Sequence, residues 1–149
     1  MDWFNYYGLI AVVGVLLPNI IVAFVDKTSF QNKFDNATIL IVEQIGRYCS
    51  MFFMVFNIPF TCFGFWFDNA LVTYLIVGAS LLIFYYVGWI VFAKRSCLAK
   101  AIWLSVTPTV LFLFCGVMIL SLPLIVSAVV FGVGHIIVSC KNLSGANCR

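Results

Sequence analysis

Glu43 and Arg47 stand four residues apart, acid before base, in an otherwise apolar stretch, and His135 is the chain's one histidine. On a helix this spacing puts carboxylate and guanidinium on one face, where they pair and partly neutralise each other. Histidine is a titratable residue type, and His135 beside Glu43 could exchange protons or bind a ligand. Plainer roles stand beside these. The ion pair could ease insertion, with Arg47 snorkelling to the interface. His135, among Gly132, Gly134 and Ser139, could be a hydrogen-bonded residue at a close helix contact. No second histidine or cysteine stands at ligand spacing, so no metal or other cofactor is assigned. No activated nucleophile is recognisable, so no catalytic residue is assigned.

With Glu43 at the origin and about 100° per residue, Arg47 falls at about 40° and Ser50 at about −20°. Met54 follows at about 20°, Asn57 at about −40° and Gly46 at about −60°. Ile41, Ile45, Tyr48, Phe52 and Phe56 take the other side. This helix has a lipid face and a polar face with small residues. A charge at mid-membrane costs ~2.5–3.5 kcal/mol on insertion scales, less nearer the surface. Asn19, Thr107 and His135 are expected at the level of Glu43 and Arg47, with Asn57 deeper. Together these six form a candidate polar pocket. Pro18-Asn19 and Thr107-Pro108 each put a side-chain hydrogen-bonding group beside a helix kink, and Pro59 is expected near the outer end of its helix. Tyr85 and Tyr86 either line the same region or belong to an aromatic belt.

These residues must be carried by membrane helices. Of 149 residues, 64% are hydrophobic and 9% charged, against about a quarter charged in soluble domains. Mean hydropathy is +1.15. Spans of ~20 apolar residues are expected at about 4–25, 39–60 and 70–93. A stretch of about double length, 98–139, divides near Pro123 into about 98–121 and 122–139. The expected fold is one all-α transmembrane domain, a bundle of five helices. The second helix should turn its polar face toward the first, fourth and fifth.

Five spans place all eight Lys and Arg on one side: Lys27, Lys33, Arg47, Lys94, Arg95, Lys100, Lys141 and Arg149. The opposite side keeps Asp2 and Asp68. Four spans would divide the bases. The positive-inside rule puts the N-terminus outside and the C-terminus in the cytoplasm. Met1-Asp2-Trp3 lacks the basic region of a signal peptide. Trp3, Phe4, Tyr6, Tyr7, Trp66 and Phe67 suit an outer aromatic belt, and Trp103 an inner one. The net charge of +3 is the charge of a membrane face, not a nucleic-acid footprint.

The loops are short, and Asn36 or Thr38, then Asp68 or Asn69, suit helix N-caps. Phe30 and Phe34, with Lys27 and Lys33, would suit either a short interfacial helix or an ordinary polar loop. Cys49, Cys62, Cys97, Cys115, Cys140 and Cys148 are scattered without a Cys-x-x-Cys pair and read as small apolar filler. The sequons at Asn36 and Asn142 fall on the cytoplasmic side and should be silent.

Pro18-Asn19-Ile20-Ile21, Glu43-Gln44-Ile45-Gly46-Arg47, Phe56-Asn57-Ile58-Pro59, Pro108-Thr109 and Gly134-His135-Ile136 resemble segments of a group of small uncharacterised bacterial polytopic membrane proteins. The resemblance covers most of the chain, implies a bacterial plasma membrane and carries no activity. The Arg…Asn…Glu…Pro order of membrane glutathione-transferase-like (MAPEG) enzymes is absent, as is the first-span acid of small multidrug transporters. The expected function is an accessory, scaffold or immunity-type membrane component. The alternative is a small transporter or permease-like protein with a cytoplasm-facing pocket. A lipid-modifying enzyme using His135 and Glu43 as acid and base comes last. Expected partners are the lipid bilayer, a second copy in a homo-oligomer, and a small-molecule or lipid ligand.

Overall fold

A computed structural model describes residues 3–25, 36–93 and 98–142. They form five helices: α1 Tyr6–Val25, α2 Ala37–Val55, α3 Ala70–Val91, α4 Leu98–Met118 and α5 Leu122–Asn142. Each is long and apolar enough to cross a membrane. The 26–36 loop segment with Phe30 and Phe34 lies, up to residue 35, outside the described residues, as do Asp2, Lys27, Lys33, Lys94, Arg95, Cys97, Cys148 and Arg149.

Asn36 starts α2, its side-chain oxygen accepting from the Ile39 N–H at 3.3 Å. Asn69 occupies the cap position of α3 without a side-chain hydrogen bond. The double-length apolar stretch breaks at Ile119–Ser121. Ser121 N–H donates to Gly116 O (2.9 Å) and Leu120 N–H to Val117 O (3.2 Å), with Leu120 at φ 49°. This is a Schellman closure with leucine where glycine is usual. Pro123 falls in the first turn of α5, where a missing N–H costs nothing.

α2 is shorter than its apolar run. It ends at Val55, and Phe56 turns extended to form an antiparallel bridge with Phe4. Asn5 N–H donates to Val55 O and Asn57 N–H to Trp3 O, at 2.8 and 2.9 Å. The segment before α1 thus takes the place of a further α2 turn. Asn57 and Pro59, both expected within this helix, lie beyond its end. A second bridge joins Cys62 to Ser121.

The helices form a ring in the order α1, α2, α5, α4, α3 and back to α1, with α2 also touching α4. The α2–α5 contact is the most extensive, and α1 is the most lightly held. Met54, Leu111, Phe112, Cys115, Ile119 and Leu124 are almost wholly buried. They put the apolar core toward the end of the bundle that holds residues 56–69. The other end, where α1, α3 and α5 finish and α2 and α4 begin, is called the basic end below, after the Lys and Arg that the sequence carries between those helices. Side chains such as Ile10, Phe24, Ile41, Ile83, Ile90 and Val126 face outward, as lipid contact requires.

Candidate functional site

Toward the basic end each helix places a polar group at one level. Asn19, Glu43 and Tyr85 lie six residues from the basic-end terminus of their helices, Ser105 and His135 seven. A rise of 1.5 Å per residue sets all five about 9–11 Å inside.

Glu43 is the centre of this layer. Its Oε1 accepts from the Arg47 guanidinium on the same helix and faces His135 Nδ1 on α5 at 2.9 Å. Side-chain exposure is 3% for Glu43, 32% for Arg47 and 23% for His135. A helical side chain leans toward the N-terminus, and that brings Arg47 down to the level of Glu43. A carboxylate only accepts, so this contact takes the tautomer with its hydrogen on Nδ1. Phe131, one turn before His135, stacks on the imidazole at 4.9 Å and has Arg47 Cζ 5.8 Å from its ring centroid.

Two glycines allow this contact. A Cβ on Gly46 would stand 2.6 Å from Phe131 N, and one on Gly134 would stand 2.9 Å from Glu43 Cβ. α2 and α5 therefore approach backbone to backbone where the charges meet.

The other four candidates divide. Asn19 is in the layer but bonds across to α3: its amide nitrogen donates to Val15 O (2.9 Å) and to the Tyr85 hydroxyl (3.0 Å). Thr107 is buried, and its hydroxyl donates to Trp103 O within its own helix at 2.7 Å, one turn before Pro108. Asn57 lies at the opposite end, its Oδ1 3.6 Å from Cys62 Sγ. So Glu43, Arg47 and His135 come together, Asn19 joins their layer, and Thr107 and Asn57 belong elsewhere.

Tyr85 and Ser105 complete the layer, and Trp89 and Ser139 stand one turn nearer the basic end on α3 and α5. Tyr85 and Trp89 sit i,i+4 on α3, a spacing visible beforehand but not the face it would meet. Ser105 donates to Ser139 Oγ at 2.7 Å, joining α4 to α5. Trp103, expected as an interface anchor, stacks on Phe84 at 4.1 Å and donates to Phe84 O. Among the described residues no three His, Cys, Asp or Glu gather to hold a metal ion.

At the opposite end, burial pushes the Cys62 thiol up from its ordinary value, and a Gly64 backbone hydrogen bond partly offsets this. Its sulfur is 3.5 Å from Ile119 O.

Fold and site together define a multi-pass, all-α membrane protein with a charged contact between its second and fifth helices. No family model matches the chain, and no curated protein or solved structure matches it either.

Proposed function

We propose that the chain is a membrane component of the accessory, scaffold or immunity type, and that Glu43, Arg47 and His135 fasten α2 to α5. One observation carries this reading. The carboxylate is buried and paired with a base on each of the two helices, and Gly134 packs against the stem of Glu43. The proposed orientation puts the basic end in the cytoplasm, by the side bias of Lys and Arg. A bacterial plasma membrane would suit it. Labelling of a Cys148-only variant from the cytoplasmic side alone is expected, and access from outside intact cells would reverse the orientation.

A small transporter or permease is the second reading, favoured by polar groups on all five helices at one level. Glu43→Gln and His135→Ala separate the two. Fastening predicts a loss of about 1–3 kcal/mol of stability for each, the cost of leaving a buried partner unsatisfied, read by thermal unfolding in detergent. Transport instead predicts folded variants that lose solute or proton flux in vesicles which the parent protein supports.

A further inference from the structure

At the centre of the helix ring hydrogen-bond donors outnumber acceptors. The Asn19 amide nitrogen reaches both Val15 O and the Tyr85 oxygen. A carbonyl can only accept, so Val15 decides which end of the amide points here. The Tyr85 oxygen is therefore the acceptor. Its own proton has no acceptor among the described residues, although Tyr85 is only 2% exposed. One turn on, the buried Trp89 indole N–H leans toward the same hydroxyl without a well-formed hydrogen bond. Buried donors in this state are costly to leave unmatched.

The charges have the same sign. Arg47 is near enough to interact electrostatically with Tyr85. The Lys100 ammonium stands 5.5 Å from the Trp89 ring centroid. Glu43, the acid of the layer, is already shared between Arg47 and His135. Helix geometry agrees. Tyr86 bonds Gly14 O on α1 and Gly88 meets Trp103 on α4, so Tyr85 and Trp89 lie between those faces and look into the ring. On α2, Arg47 stands about 40° round from Glu43, which meets Gly134 of α5, on the same side as Met54, whose carbonyl meets Gly8 of α1.

We propose that the ring binds an anionic group, a phosphate or carboxylate, between the Arg47 guanidinium, the Tyr85 hydroxyl and the Trp89 indole N–H, entered from the basic end past the part-exposed Arg47. The group could belong to a lipid headgroup or to a free anion, and the fold meets it with the same donors.

Thermal unfolding of the full chain tests this in two settings. One is neutral detergent with inorganic phosphate added at constant ionic strength. The other is phosphatidylcholine nanodiscs with or without phosphatidic acid. A ligand that binds only the folded state raises Tm, and the rise should appear with at least one of the two anions. Phosphate acting in detergent marks a free anion; phosphatidic acid acting alone marks a headgroup. Tyr85→Phe and Trp89→Phe, neither part of the α2–α5 fastening, should each weaken the apparent affinity about tenfold, as for one lost hydrogen bond. No rise with either anion overturns the site. An equal rise in the parent and both variants also overturns it, since exposed lysines would then be responsible. If one variant does not fold, the other carries the comparison. Loss of the fastening reading, seen as unchanged stability of Glu43→Gln, leaves this measurement unaffected.

Discussion

Cys62 sits in the loop that closes the bundle opposite the charged layer, between the Asn57 amide oxygen and Ile119 O. Its thiolate is disfavoured because burial removes the water that would solvate it. Alkylation needs the thiolate, so at a given pH less of it is available than in an ordinary cysteine. A Cys62-only variant is expected to react slowly with a maleimide at pH 7–8, and its rate should keep climbing at a pH where a peptide thiol has levelled off. A profile like that of a free peptide would show the thiol is solvated. Glu43 presents the converse arrangement, a carboxylate kept in an apolar setting by two bases. Its i,i+4 partner could be read from spacing alone. His135 required knowing that α5 neighbours α2 across ninety-odd residues of chain, which no local period reports.

The α2–α5 pair depends on the absence of side chains. Gly46 abuts Phe131 backbone, which cannot swing aside as a flexible side chain could. Gly46→Ala should force the helices apart, lengthen the Glu43–His135 contact and cost about 1–3 kcal/mol as overpacking does. Gly78 on α3 has nothing within 4 Å of its would-be Cβ. Gly78→Ala should therefore be neutral or slightly stabilising, through helix propensity. Thermal unfolding of the two variants side by side checks both, and equal losses would mean that the close approach is not what Gly46 provides. The face of α2 from Gly46 through Glu43 to Arg47 was legible as a polar arc because a helix repeats every 3.6 residues. The same arithmetic puts Asn57 on that arc. It fails there because the helix stops at Val55, where the Trp3–Asn5 segment competes for the backbone. Helix ends set by a distant strand-like contact leave little trace in hydropathy.

Across the whole molecule, apolar core and polar layer occupy opposite ends of one bundle. The number of helices followed from apolar length, and the break in the long last stretch from Pro123 and from charge placement. The cyclic order of helices did not follow, since five similar apolar cylinders can be arranged in several ways. That order decides which polar residues meet: Tyr85 reaches Asn19 because α1 closes the ring against α3. Replacing charges acts earlier, during insertion, through the pair within α2 itself. Glu43→Gln or Arg47→Gln alone leaves one unpaired charge in the second span, whereas the double substitution leaves none. Each single variant should insert less efficiently in a microsomal or inner-membrane assay, by about 1–2 kcal/mol, with the double variant recovering most of the loss. A double variant worse than either single would mean that the pair is not neutralising itself in the bilayer.

The pairing of α2 with α5 has a consequence in time. Ribosomes deliver the second helix long before the fifth, and two further spans must be made in between. Throughout that interval Glu43 has no histidine to meet, and Arg47 stands a single turn away on its own helix. The intrahelical pair therefore can form before the bundle does, and the contact with His135 is added when the last helix arrives.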